Sequence, residues 1–259
     1  MRGKLIWLLG LGAFTALALV VGANAAEKPV TVQAGNLRFT INGGVTPKAL
    51  PKNKLAPITL NVSGGIATVD GSHPPALKEV VVDTDKNGAV NPKGLAVCTA
   101  AQLQSQDTKH AEAICPDAII GKGTTNVQIQ FPEQKPIPVA SKLLAFNGGV
   151  KGGVTTIFIH AYITVPTPAA IVTTVKITKE HKGRYGLHSI ASVPRIAGGS
   201  GSVTAFSLTF HRLFTYKGKK QSYFEAQCAD GKFVAQAEAI FTNGEKIKGG
   251  IVRPCTPKG

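Results

Sequence analysis

The chain has 259 residues, 43% hydrophobic and only 17% charged, which excludes a disordered polymer and leaves enough apolar sequence for a substantial core. Its formal net charge of +15 fits attraction to anionic polymers or lipid headgroups, or solubility alone. Nucleic acid is disfavoured as a partner, because the charge is scattered and no basic helix is evident.

Residues 1–25 read as a secretory signal peptide. Arg2 and Lys4 precede an uncharged apolar run, Leu5 to Val21, and Ala23-Asn24-Ala25 supplies a small-x-small cleavage pattern. The run is close to the shortest membrane span, so an uncleaved N-terminal anchor is the alternative. Residues 26–259 are then one secreted or cell-envelope domain, outside the cytoplasm. A split near the "NGGVKGGV" stretch at residue 150 is the alternative division.

From residue 36 onward, Val, Ile, Thr and Phe alternate with polar residues in the period-two pattern of strands. "NLRFTING" (36–43) alternates Leu37, Phe39 and Ile41. "ITLNVSGGIATVD" (58–70) reads as a strand, a Gly-Gly break and a second short strand. "LKEVVVDTD" (77–85) follows, and its end opens a motif. Asp83, Asp85, Asn87 and the Ala89 carbonyl stand at the first four ligand positions of a calcium loop, with Gly88 at the sharp turn. The closing bidentate carboxylate is replaced by Gly94. The favoured reading is a turn out of a strand through Asn87-Gly88, with weak calcium binding as the minority expectation and no other cofactor.

"CTAAQLQSQDTKHAEAIC" (98–115) lacks β-branched residues over most of its length and reads as one or two short helices, N-capped by Thr99 or Asp107. Four cysteines in an exported chain read as two disulfides, and the pairing that closes two short loops is Cys98–Cys115 with Cys228–Cys255. Zinc is disfavoured, since no CxxC spacing occurs.

"NVQIQF" (126–131) and "KLLAFNG" (142–148) continue the strands. "VTTIFIHAYITVP" (154–166) and "AAIVTTVKITKE" (169–180) are long strands joined across a proline turn. "EHKGRYG" (180–186) and "RLFTYKGKK" (212–220) place Lys182, Arg184, Tyr185, Arg212, Tyr216, Lys217, Lys219 and Lys220 in two basic, aromatic turns. If these share one end of the domain, they form a cationic rim for anionic glycan or lipid. Residues 151–259 hold 15 Lys and Arg against 5 Asp and Glu, so this C-terminal half is the basic one. Asp230-Gly231 and Asn243-Gly244 are hairpin signals that predict a meander over residues 221–253.

"GRYGLHSIASVPRIAGGSGSVTAFSLTF" and "YKGKKQSYFEAQCADGKFVAQAEAIFTNGEKIKGGIVRPC", with "DTDKNGAVNPKGLAVC" and "LLAFNGG" upstream, resemble a group of exported actinobacterial proteins without assigned activity. The resemblance implies an exported, single-domain β protein and brings no catalytic residue or ligand.

The expected fold is all-β, an antiparallel sandwich or barrel-like sandwich with a short disulfide-tied helical insertion. The leading functional expectation is a non-enzymatic binding or envelope-associated protein that contacts anionic cell-wall polymer or lipid headgroups through its basic half. One alternative is a hydrolase, for which Glu225 with Glu238, or His160 with His211, would have to converge. The other is a carrier holding an apolar ligand inside a barrel.

Overall fold

The computed structural model describes residues 27–259; the signal peptide or anchor expected at 1–25 lies outside the described residues. The fold is all-β. Twelve strands form one sheet: β1 (Val30–Ala34), β2 (Leu37–Thr46), β3 (Thr59–Thr68), β4 (Leu77–Asp85), β5 (Ile119–Ile129), β6 (Ile137–Lys151), β7 (Val154–Ile163), β8 (Ala169–Lys182), β9 (Tyr185–Ser192), β10 (Gly201–Phe210), β11 (Lys232–Phe241) and β12 (Lys246–Pro254). Their order across the sheet is β1-β2-β3-β10-β5-β6-β7-β8-β9-β4-β11-β12, and every neighbouring pair is antiparallel.

The sheet curls until its edges meet. Gly249 on β12 lies so close to β1 and β2 that an added Cβ would stand 2.8 Å from Ile41 and 3.2 Å from Val32. The edges share no backbone ladder, so side chains close the seam. The result is a nearly closed barrel, an arrangement that removes most of the exposed strand edge.

Alternation explains most walls, but β6 and β7 carry apolar residues at consecutive positions. The reason is a second layer. Leu143, Ala145, Ile157 and Ala161 face the barrel core, while Leu144, Phe146 and Phe158 pack outward against the helical insertion. That insertion contains α1 (Ala100–Leu103) and α2 (Thr108–Ile114). Thr99 caps α1 in a capping box with Gln102, and Asp107 caps α2 by accepting from the His110 backbone. Cys98–Cys115 closes the insertion, and Cys228–Cys255 ties the end of β12 to the segment before β11.

Two local expectations are corrected. Gly64-Gly65 does not break its strand: β3 runs through it unbroken. The glycine is needed because the Phe206 ring of β10 lies over it, and a Cβ on Gly64 would meet that ring at 2.6 Å. Residues 221–253 are also not one meander. β11 and β12 form the hairpin at Asn243-Gly244, but Phe224–Ala226 pairs with Ala56–Pro57 and Gly88–Val90 in a small sheet across one end of the barrel. The place beside β11 goes to β4, because a nine-residue strand offers far more ladder bonds than a three-residue one.

Strand direction assigns every turn to one of two ends. The cap end gathers residues 27–29, 46–58, 86–97, 151–153, 182–185, 211–232 and 254–259. The far end gathers 34–37, 68–77, 129–137, 163–169, 192–201 and 241–246, and buried Ile196 folds back onto it through a bridge to Gly201.

Candidate ligand-binding site

The barrel is not filled. A cavity of about 390 Å³ runs inside it, within the usual range for small-ligand sites. Its existence follows from strand number and side-chain size. Eight strands make an interior that side chains just fill, so twelve make a wider one. Here small residues, among them Thr173, Ser189, Ala191, Ala235 and Ala237, stand between larger ones such as Val80, Ile171 and Val175 along the side made by β8, β9, β4 and β11. The facing wall carries Leu143, Ile157, Ile159 and Leu208. Neither wall reaches the other. Inward residues such as Ile159, Val175 and Ala191 are accordingly only half-buried, although they sit on the inner face.

Several of the polar groups that border the cavity are already paired. Arg253 Nε donates to the Gly43 carbonyl at 2.8 Å, and its Nη2 donates to Asn42 Oδ1 at 2.8 Å and to the Lys28 carbonyl at 3.2 Å. Glu27 pairs with the same guanidinium at 2.9 Å. Asp85 Oδ2 accepts from Arg184 Nε at 2.6 Å and from the Val234 backbone at 3.0 Å. Among the described residues, the buried side-chain atoms without a partner belong to Asn87, His160, Glu180, Arg212 and Ser222, none of which lines the cavity. The lining is mostly apolar, so the cavity can hold a ligand by apolar burial.

Beneath the cap, fully buried Asn147 organises the chain. Its Nδ2 donates to the carbonyls of Pro92 and Ala96, and its Oδ1 accepts from Gly149 N and from the Tyr223 hydroxyl. Burial pushes the Tyr223 phenol well above its ordinary value, so it remains a donor here.

The residues of the calcium pattern take separate partners. Asp83 faces the outer wall, where His188 Nδ1 donates to Oδ1 at 2.6 Å and Gln236 Nε2 to Oδ2 at 2.6 Å. Burial pushes the Asp83 carboxyl up, but the bonds from His188 and Gln236 outweigh it and hold the group below the usual carboxylate range. Asp85 is held by Arg184, and its Oδ1 accepts from Asn87 N at 2.9 Å. Ala89 pairs with Glu225 in the capping sheet. The segment is a tight turn from β4 into that sheet. The set of possible metal ligands that does converge is different: Asp83, Glu180 and His188 offer ligand atoms within 4.8 Å of one another on three adjacent strands.

Both basic turns lie at the cap end, one between β8 and β9, the other in the hairpin of Leu213–Tyr216 with Lys219–Ser222. Their residues do not all face solvent freely. Arg184 is clamped by Asp230, Asp85 and the Lys232 carbonyl. The Asp230 carboxylate raises the guanidinium further and is itself held below the usual carboxylate range by Arg184. Arg212 reaches the Asp117 carbonyl at 3.1 Å. The Tyr216 ring covers Gly94, where a Cβ would come within 2.3 Å. Tyr185 sits against Asp85 in the β9–β4 ladder. Lys182, Lys217, Lys219 and Lys220 are exposed, with Lys217 over the Tyr216 ring at 5.6 Å.

The charge is organised by barrel end as well as by chain half. The cap-end turns carry fifteen Lys and Arg against three Asp and Glu, the far-end turns three against three, and the helical insertion of 98–118, which leaves and re-enters the barrel at the cap end, one against three. Lys48, Lys52, Lys54, Lys86 and Lys93, from the less basic half of the sequence, join the two basic turns. Sequence reasoning missed them because which end a turn reaches depends on the direction of every preceding strand.

The carboxylate and histidine pairs stand apart. Glu225 is in the capping sheet and Glu238 on β11 opposite Lys248. His160 is buried on β7, its Nε2 bonded to the Gln106 carbonyl at 2.9 Å, and burial pushes its pKa down. His211 follows β10 and bonds to Thr59 Oγ1 at 2.8 Å. No helix among the described residues is long and apolar enough to cross a membrane. Comparison with protein-family models, with curated proteins and with solved structures finds no match.

Proposed function

We propose that this protein is an exported carrier that holds an apolar molecule inside its barrel. The observation that carries the reading is the cavity of about 390 Å³ with its predominantly apolar lining. A barrel without a ligand role would gain stability by filling that space, since unfilled volume forfeits dispersion contacts. Two disulfides support an oxidising compartment outside the cytoplasm. A ligand that fits is a hydrocarbon chain or ring system whose polar end, if it has one, stays at the mouth.

The test is titration of the purified protein with N-phenyl-1-naphthylamine, an apolar dye that fluoresces when it leaves water. Saturable enhancement is expected, with competition by long-chain fatty alcohols. Ala191→Phe, which projects a ring into the cavity, is expected to abolish the enhancement while the protein still melts cooperatively. Absence of saturable binding, or equal binding by a folded Ala191→Phe variant, overturns the carrier reading.

A further inference from the structure

The cap end combines two properties. The first is its cationic excess, supplied by exposed side chains on five separate turns, including Lys52, Lys54, Lys86, Lys93, Lys217 and Lys219. The second is exposed aliphatic surface. Of the large hydrophobic side chains that face solvent, Leu55 (39% exposed), Val97 (52%), Val150 (41%), Leu213 (55%) and Val252 (58%) lie at or beside this end, while the far end holds Val69 and Val165 and the helical insertion holds Ile114 (45%). A soluble anionic glycan would be served by the cations alone. Aliphatic side chains interspersed among lysines match a bilayer, where charge meets anionic headgroups and the apolar groups enter the boundary below them.

We infer that the cap end is a docking face for an anionic phospholipid bilayer. The lysines supply the attraction, at about 1 kcal/mol each near such a surface. Leu213 and Leu55 stand exposed at the same end and bury on contact. The small sheet of Ala56–Pro57, Phe224–Ala226 and Gly88–Val90 then lies between bilayer and cavity, and Val90 and Phe224 line the cavity from that sheet. Exchange of the ligand with the bilayer is the use of this contact, and that use rests on the carrier reading; the docking itself rests on charge and exposure.

The experiment is co-sedimentation of the full chain with vesicles of phosphatidylcholine alone or mixed with phosphatidylglycerol, at low and high salt. Partition is expected onto the mixed vesicles, weakened by salt. Replacing Lys217, Lys219 and Lys220 with Gln is expected to lower it about 100-fold, from roughly fivefold per lysine. Leu213→Ser with Leu55→Ser is expected to lower it about tenfold or more without changing its salt dependence. Lys135→Gln with Arg195→Gln, at the far end, is expected to leave it unchanged. Equal partition onto neutral vesicles, equal loss from the far-end variant, or retention on a soluble polyanion without vesicle binding overturns the inference. Dye binding without vesicles reads the carrier function separately, so either idea can fail alone.

Discussion

Arg253 on β12 donates to Asn42 Oδ1 on β2 at 2.8 Å, joining two strands that share no backbone ladder. The same guanidinium holds Gly43, Lys28 and Glu27, so one side chain latches the N-terminal segment and both edges of the sheet.

Arg253→Met is expected to destabilise the fold by about 2 kcal/mol, since it removes the guanidinium that joins Glu27, Lys28, Asn42 and Gly43 at a largely buried site, although Glu27 keeps Lys48 and Asn42 Oδ1 keeps the Gly43 backbone N–H. Arg253→Lys should recover only part of this, because an ammonium cannot bridge the same acceptors in one plane. Urea unfolding of the three proteins checks the order.

Asp83 supplies a pH-dependent contribution. Its folded pKa is depressed, so its pairings stabilise the protein above the ordinary carboxylate value of about 4 and lose that effect as pH falls through the lower folded value. The stability gap between the native chain and Asp83→Asn is expected to be constant near neutrality and to close on acidification below about pH 4. Denaturant midpoints across that range measure it; a gap that widens in acid contradicts the assignment.

Each disulfide closes a short loop, of 17 and 27 residues. Chain-entropy arguments give about 3 kcal/mol for each. Cys98→Ala with Cys115→Ala is expected to loosen the helical insertion first, seen as faster amide exchange over 98–118. Cys228→Ala with Cys255→Ala is expected to loosen the cap, with faster exchange over 224–232.

Gly123 on β5 faces β10 so closely that a Cβ would stand 1.9 Å from the Ser207 carbonyl oxygen, a backbone atom that cannot swing away. Gly123→Ala is expected to cost about 3 kcal/mol or more, as overpacking against a ladder does. Gly64→Ala should cost less, because the atom it meets is the outer edge of the Phe206 ring. Thermal midpoints of the two variants test the ranking.

The sequence by itself determined the elements. Alternation marked the walls, Asn243-Gly244 marked the β11–β12 hairpin, and the Ala- and Gln-rich run between Cys98 and Cys115 marked the helices, because each is a property of residues near one another in the chain. The candidate site was less legible. Gly64 looked like a break because its purpose, room for Phe206, lies more than a hundred residues away. Asp83 and Asp85 suggested a turn with a minority calcium pattern, and their partners His188, Gln236 and Arg184 could not be read because they come from other strands. Only the tertiary structure decided that Lys52 and Lys219 share an end, and that residues of β6, β8, β9 and β11 border an unfilled interior. The physical reason is common to both: strand order sets which turns share an end, strand number sets the width of a barrel, and neither is written in any local period of the chain.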